Sequence, residues 1–307
     1  MKRWIYKLTF SAGVHFGVRN LTETESFFYA DTLFSALCLE ALEEGEDILT
    51  SLYSKVKSGN ILFSDGMPYI GNCLYVPKPF ISLKRERRDS DSKGKKAMKR
   101  LKFLPARSID DFFNDTLDVE QTAADLKKLG IAEERTCAAV HGLEETMPWR
   151  VGVYRFNEGN GLYLCVILGS EEEETLFDRL LTELSYTGIG GERSSGYGRF
   201  CYTKEEMPEY LEKRFSEGYE HYMTLSVSMG NEEELDGVME NTSFLLKKRS
   251  GFTDSRTPGE GGFRKKDLYV FSSGSCFEQR FQGDVFNVSR KGLHPVYRYA
   301  KAMMIGV

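Results

Sequence analysis

The glycine-rich stretch from Gly188 to Phe200, GIGGERSSGYGRF, is the part of the sequence best suited to bind phosphate groups. Glycine allows positive φ angles and lets main-chain N–H groups approach an anion closely. Serine hydroxyls add donors, and arginine binds phosphate oxygens through paired N–H groups. The candidate RNA-binding residues here are Gly188, Gly190, Gly191, Arg193, Ser194, Ser195, Gly196, Gly198 and Arg199. We predict contact with a phosphate backbone; the alternative is an ordinary turn between a helix and a strand.

This stretch differs from the two common nucleotide-binding motifs. It lacks the Gly-Lys-Ser/Thr ending of a triphosphate-binding loop. It also lacks a G-x-G-x-x-G register placed after a strand, which a dinucleotide-binding loop requires. We therefore expect neither triphosphate hydrolysis nor a nicotinamide cofactor, and we predict no cofactor at all.

Two further segments are basic enough to contact RNA. One runs from Lys84 to Lys102 and begins with Lys84 and Arg85. The other comprises Lys247, Lys248, Arg249, Ser250, Gly251 and Phe252. The rings of Phe252 and Phe263 are suited to stack on bases. The alternative for both segments is a solvated charged surface, which is the usual role of a charge run.

The net charge of the chain, −5 from 41 Lys and Arg against 46 Asp and Glu, does not by itself indicate nucleic-acid binding. The acidic residues, however, gather in runs such as 171–174 and 232–234, away from the basic segments. Local charge governs binding more than the net charge does. The composition is therefore compatible with RNA binding at one face and protein contacts at another.

His15 is the one candidate for catalysis, because a histidine after the first strand could act as a general base in RNA cleavage. No second histidine or lysine at suggestive spacing completes an acid–base pair, so we also expect a structural or RNA-contacting role. Asp31 is interpreted as a helix N-cap. The 6 cysteines are scattered singly, so they indicate neither a zinc site nor a redox motif, and no carboxylate pair indicates a metal-dependent nuclease. Three hypotheses stay open: a non-catalytic RNA-binding protein, a metal-independent endoribonuclease using His15, and a protein-only adaptor.

The elements that position these residues follow from hydrophobic spacing. Alternation from Trp4 to Phe10 predicts a strand, and helical spacing predicts a helix from Asp31 to Gly45. The apolar runs 151–156 and 162–168, separated by NEGNG, predict a hairpin. A helix begins after Ser170. Later alternation predicts a second set of strands.

This order predicts an α+β protein built from two ferredoxin-like (RRM-like) domains with antiparallel sheets. We place the first domain at 1–210, with the glycine-rich loop and an inserted segment at 84–148, and the second at 211–307. The chain contains no apolar run of 18 residues, so we expect no membrane span and a cytoplasmic protein.

Several motifs together resemble a known family. They are GVHFG (13–17), ADTLFSAL (30–37), GIGGERSSGYGRF (188–200), KKRSGF (247–252), KKDLYVFSSGSCF (265–277), and the end GDVFNVS to HPVYRYAKAM (283–303). In this order they are similar to the RAMP family of fourth Csm subunits of type III-A CRISPR effector complexes. The glycine-rich loop marks only the RAMP superfamily, whereas the C-terminal motifs are specific to this family.

The resemblance implies a non-catalytic subunit that binds the 5′ handle of crRNA at one end of an RNA-guided antiviral complex. Its partners would be the large polymerase- and cyclase-like subunit, the adjacent backbone RAMP subunit, and target RNA near the handle. Carried onto this chain, the RNA-binding segments are Gly13 to Arg19, including His15 and Arg19, then Gly188 to Phe200 and Lys247 to Phe252. The segment 84–148 would correspond to a thumb-like β-hairpin.

Overall fold

The structure, a computed structural model, describes residues 1–18, 20–81, 92–138, 147–253, 263–290 and 294–307, with backbone only at 92–95. The strands are β1 (Lys2–Phe10), β2 (Phe16–Gly17), β3 (Thr24–Glu25), β4 (Ile61–Phe63), β5 (Met67–Ile70), β6 (Cys73–Pro77), β7 (Phe103–Pro105), β8 (Gly130–Ala138), β9 (Pro148–Phe156), β10 (Asn160–Leu168), β11 (Phe200–Glu206), β12 (Tyr222–Thr224), β13 (Leu246–Arg249), β14 (Leu268–Phe271), β15 (Cys276–Phe277), β16 (Gly283–Asn287), β17 (Tyr297–Lys301) and β18 (Met304–Gly306). The helices are α1 (Ala30–Glu44), α2 (Glu46–Lys57), α3 (Ser92–Arg100), α4 (Ile109–Phe113), α5 (Val119–Leu126), α6 (Glu171–Thr187), α7 (Glu209–Glu212) and α8 (Glu232–Val238).

A seven-stranded antiparallel sheet carries the N-terminal part of the chain. Its order is β11-β1-β10-β5-β6-β7, and β4 also pairs with β10. All nine residues of β10 are buried because strands flank it on both edges and it is covered on both faces. The predicted first strand is confirmed, and Tyr6, Leu8 and Phe10 are buried as the alternation indicates.

The predicted hairpin between 151–156 and 162–168 is wrong. β9 pairs with β8 along its whole length, from Gly130 opposite Phe156 to Ala138 opposite Pro148. β10 instead pairs with β1, β4 and β5 in the large sheet. Alternation identifies a strand but does not identify its partner, and β8 supplied the partner here.

The segment predicted as an insertion at 84–148 only partly leaves the sheet. β7 pairs with β6, and Leu101, Phe103, Leu104, Ile109 and Phe112 are buried in the main core. The ribbon of β8 and β9 is largely exposed on the β8 side. Hydrophobic burial of 101–112 therefore ties this segment into the fold, and only the ribbon has the character of a projecting hairpin.

Helix α1 ends at Gly45 as predicted, but its start differs. Tyr29 is the N-cap residue, so Asp31 lies inside the first turn and its side chain makes no capping hydrogen bond. The interpretation of Asp31 as an N-cap is wrong, because two arginines described below take both of its carboxylate oxygens. Helix α6 begins after Ser170 as predicted, and it buries Leu176, Phe177, Leu180, Leu181 and Leu184.

The C-terminal part holds a three-stranded sheet, β15-β12-β18, and the two hairpins β13-β14 and β16-β17. Asn231 and Glu234 form a reciprocal capping box at the start of α8. Both parts share one core. The ring of Tyr299 stacks on Phe63 with centroids 4.4 Å apart, and its hydroxyl donates to the Phe63 carbonyl at 2.9 Å.

Asp65 ties three segments together at this junction. Its Oδ1 accepts hydrogen bonds from the N–H of Ala30 at 2.8 Å and of Val227 at 3.1 Å. The residue is 1% exposed. Antiparallel sheets with helices packed on them confirm the predicted α+β class.

Candidate nucleic-acid interface

A cleft of about 1000 Å³ brings the three predicted RNA-binding segments together. It is lined by residues of the N-terminal loop, of the glycine-rich loop and of the basic segment at 247–252, and helix α1 forms another wall. These segments are far apart in sequence, so their convergence is a product of the fold. A groove of this kind, lined with cations and aromatic rings, suits single-stranded nucleic acid.

The glycine-rich loop is bonded to the N-terminal loop by main-chain hydrogen bonds. The N–H of Gly191 donates to the His15 carbonyl at 2.9 Å, and the N–H of Gly198 donates to the Gly13 carbonyl at 3.1 Å. Gly190 has φ +101°, and a Cβ on it would lie 2.7 Å from the same His15 oxygen. The glycines therefore serve close packing of two loops, and the loop is an ordered wall of the cleft.

Only part of the glycine-rich loop faces the cleft. Gly188, Gly190, Gly191 and Arg193 line it. Ser194, Ser195 and Arg199 are exposed outside the lining, and Gly196 and Gly198 serve the turn that closes the loop, both with positive φ. Among the predicted cations of this loop, Arg193 is thus the one positioned on the cleft wall.

His15 lines the cleft but is buried and bonded. Its Nδ1 lies 2.7 Å from the Gly152 carbonyl oxygen, which only accepts, so Nδ1 carries the hydrogen and donates it. A Cβ on Gly17 would lie 3.0 Å from Nε2 and one on Gly191 would lie 2.7 Å from Cδ2. The imidazole therefore fills the contact between two loops and the β8–β9 ribbon.

The basic segment 247–252 forms another wall, carried by β13. The Nζ of Lys247 lies 4.2 Å from the ring centroid of Tyr29 and hydrogen-bonds to its hydroxyl. The Arg249 guanidinium lies 4.5 Å from the same ring. Lys248 is bridged to Asp267 at 2.8 Å. Burial, followed by the charge of Arg249, lowers the pKa of Lys247.

Asp31 lies at the base of this wall and binds two arginines. Arg249 donates from Nε to Oδ2 at 2.8 Å and from Nη2 to Oδ1 at 2.7 Å. Arg298 donates from Nη1 to Oδ2 at 2.6 Å. Burial acts to raise the pKa of Asp31, but the two guanidinium groups outweigh it and the pKa is lowered. Asp31 is therefore ionised at neutral pH.

Two exposed phenylalanines stand at the edge of the cleft. Phe252 and Phe263 are 70% and 56% exposed, and both line it. They are held in register by main-chain bonds, from the Thr253 N–H to the Phe263 carbonyl at 2.8 Å and from the Lys265 N–H to the Gly251 carbonyl at 2.9 Å. Ser250 and Gly251 line the cleft beside them.

Three of the predicted residues, Arg19, Lys84 and Arg85, lie outside the described residues. Two further residues of the cleft lining, Tyr29 and Arg298, were not predicted from the sequence. Arg298 stands in the apolar run VYRYA, and a charged residue in such a run signals a buried partner. In the described ranges, no cluster of three His, Cys, Asp or Glu could hold a metal ion, and none of the helices there is long and apolar enough to cross a membrane.

Comparison with known proteins decides the family. Residues 217–307 match the CRISPR Csm4 C-terminal domain. The chain is 38% identical to Csm4 of Mycobacterium tuberculosis (strain CDC 1551 / Oshkosh) over 294 residues, covering 95% of this chain and 94% of that protein. The chain belongs to the Csm4 family. It is also 30% identical to Csm4 of Streptococcus thermophilus over 313 residues, covering 97% of each.

Solved structures of this family's complexes share the fold. A chain of the Csm3–Csm4 subcomplex of a type III-A CRISPR-Cas interference complex matches with a TM-score of 0.67 at 17% identity, covering 100% of this chain and 99% of that one. A chain of the Csm1–Csm4 cassette in complex with pppApA matches with a TM-score of 0.59 at 18% identity, covering 100% and 98%. At these identities the likeness concerns the fold.

Proposed function

We propose that the protein is a non-catalytic RNA-binding subunit of a type III-A CRISPR antiviral ribonucleoprotein, and that its cleft binds the 5′ handle of crRNA. The observation that carries the proposal is the meeting of three segments, near His15, Gly190 and Arg249, in one cationic and aromatic cleft. Main-chain N–H groups, arginines and stacking rings bind a single strand through its backbone and base faces.

The proposed partners follow from family membership. Csm4 proteins occur with Csm3 and with Csm1 in the solved complexes. For this chain we propose docking of the large, Csm1-like subunit onto the backbone formed by the Csm3-like subunit, with target RNA passing near the handle. The acidic surfaces outside the cleft are the proposed protein contacts, and the cytoplasm is the proposed compartment.

The proposed architecture is a pair of ferredoxin-like units, 1–210 and 211–307. In the first, the order β11-β1-β10-β5 with α1 and α6 as the connecting helices is the arrangement of a β-α-β-β-α-β unit. The second unit supplies β13 and β17 to the cleft. RNA would then lie where the two units meet.

Binding of handle RNA to the purified chain, measured by fluorescence anisotropy from 50 to 300 mM salt, tests the proposal. Arg193→Ala should weaken binding and flatten the slope of log K against log salt by about 0.7, the value for one lost phosphate contact. Adding Arg199→Ala, at a position outside the cleft lining, should change the slope little further. The matched control is Lys128→Ala with Lys213→Ala, two exposed, ion-paired cations away from the cleft. An unchanged slope in the arginine variant would favour a protein-only adaptor.

The endoribonuclease alternative has its own test. Incubation of the chain with repeat RNA in EDTA should leave the RNA intact. Specific cleavage that disappears in His15→Ala would overturn the non-catalytic proposal.

A further inference from the structure

Two arginines share a single buried carboxylate on the cleft wall. The carboxylate of Asp31 is bonded by Arg249 through two nitrogens and by Arg298 through one, at 2.6 to 2.8 Å. The side chains of Asp31 and Arg298 are 2% and 7% exposed, and that of Arg249 is 19% exposed. One negative and two positive charges leave this triad with one uncompensated positive charge.

Among the described residues, the nearby carboxylates offset this charge only in part, because Asp65 acts electrostatically on Arg249 but burial raises its own pKa to about 7. Glu25, which also lines the cleft, is bridged to Lys102 at 2.7 Å. The carboxylate of Asp65 is turned to the N–H groups of Ala30 and Val227. Lys247 adds another cation, and its lowered pKa reflects burial and the nearby Arg249 charge. A buried net charge is costly unless an opposite charge accompanies it, so this wall is preorganised for an anion.

The cleft also has an apolar part. Leu39, Leu42 and Val296 line it together with the ring of Tyr297, which stacks on Tyr53 at 4.0 Å. An apolar surface of this kind next to a cationic one fits a phosphate joined to a base. Inorganic phosphate alone would leave the apolar surface uncovered.

We propose that the Asp31–Arg249–Arg298 triad is an anion subsite that binds one phosphate group of an unpaired nucleotide. Asp31 is a positioning residue, because it holds both guanidinium groups at the wall. The inference rests on the proposed function: it names the point in the cleft where the RNA backbone is gripped.

Arg298→Met tests the subsite, because it leaves Asp31 and Arg249 as a neutral pair. The salt slope for handle RNA should flatten by about 0.7, the value for one phosphate contact on a single strand. Arg298→Lys keeps the charge and should keep the slope. The matched control is Arg214→Met, which removes another buried arginine, bridged to Asp110 at 2.7 Å outside the cleft lining, and should leave the slope unchanged.

A wild-type slope in folded Arg298→Met would overturn the inference. A second measurement separates it from the proposed function and does not depend on RNA or on the variant's folding. Inorganic pyrophosphate at constant ionic strength should raise the melting temperature of the unaltered chain, because an anion that binds only the folded state stabilises it. No rise relative to chloride overturns the subsite. A rise in melting temperature with pyrophosphate, in a chain that does not bind handle RNA, overturns the proposed function but not the anion subsite.

Discussion

The carbonyl oxygen of His15 accepts a hydrogen bond from the N–H of Gly191 at 2.9 Å. This bond joins the loop after the first strand to the loop after α6, although 175 residues separate them along the chain. The glycine-rich loop is therefore shaped by its neighbour before any ligand arrives. Packing requires Gly190 and Gly198, and the resulting rigid shape would preorganise the loop for the proposed RNA contact.

Gly190→Ala should destabilise the protein more than Gly196→Ala. Both glycines have positive φ, +101° and +84°, so alanine costs about 1–2 kcal/mol at either position. A Cβ at 190 would also lie 2.7 Å from the His15 oxygen, whereas nothing lies within 4 Å of one at 196. Overpacking adds about 2 kcal/mol at 190. Urea unfolding measures the difference, and equal losses would contradict the packing argument.

His15→Ala should lower the free energy of unfolding by about 1–3 kcal/mol, because the Gly152 carbonyl would lose its buried donor. His15→Asn keeps a donor near the position of Nδ1 and should recover part of the loss. Thermal and urea unfolding of both variants provide the measurement. If asparagine is as damaging as alanine, the hydrogen bond is not the main contribution of His15.

Phe252→Ala and Phe263→Ala should each weaken handle-RNA binding by about 1–3 kcal/mol, the range for a base stacked on an aromatic ring. Both rings are more than half exposed, so the stability of the chain should change little. Tyr269→Ala is the control, since Tyr269 is 54% exposed on β14 and lies outside the cleft lining. Equal effects of all three substitutions would argue against stacking in the cleft.

Asp65 should make the protein less stable as the pH rises. Burial raises its pKa from 3.8 to about 7 in the folded state. Between these values the folded state binds more protons than the unfolded state, so the contribution of Asp65 to stability is lost as pH rises from about 4 to 7. The slope approaches about 1.4 kcal/mol per pH unit within that window.

Asp65→Asn removes this titration. As the pH is raised from 5 to 7, the free energy of unfolding of the variant should therefore fall less than that of the unaltered chain. Asp125→Asn is the control. The Lys128 hydrogen bond lowers the pKa of Asp125, which places its titration below the window. Parallel pH profiles for the unaltered chain and Asp65→Asn would contradict the raised pKa.

Local pattern predicted the elements well, because periodicity reports burial directly. The first strand, the stripe of α6 and the capping box of Asn231 all follow from short-range spacing. Strand pairing depends on segments that local pattern does not reach. The predicted partner of β9 was the strand at 162–168, and the partner found is β8. The burial of 101–112 was also missed, since its apolar residues adjoin a strongly basic run.

The candidate site was predictable in its segments but not in its internal bonding. The glycine, arginine and lysine residues of the glycine-rich loop and of the basic segment 247–252 were sufficient to predict two of the cleft walls. Asp31 binds Arg249, which is 218 residues away along the chain, and Arg298, which is 267 residues away. Local sequence patterns do not predict contacts between such distant residues. Aspartate is common at helix N-caps, so a local explanation of Asp31 was available from the sequence. In the fold, ion pairs with two distant arginines determine its role instead.

The stacking of Tyr299 on Phe63 has a consequence for engineering. Consider a chimera that joins residues 1–210 of one family member to residues 211–307 of another. Its two parents must have compatible residues at the positions of Phe63 and Tyr299, and at Asp65, which bonds Ala30 and Val227. Incompatible residues would leave a cavity where the two parts of the chain pack together, a contact that we call the seam. The seam is therefore the place to begin when parts of these proteins are exchanged.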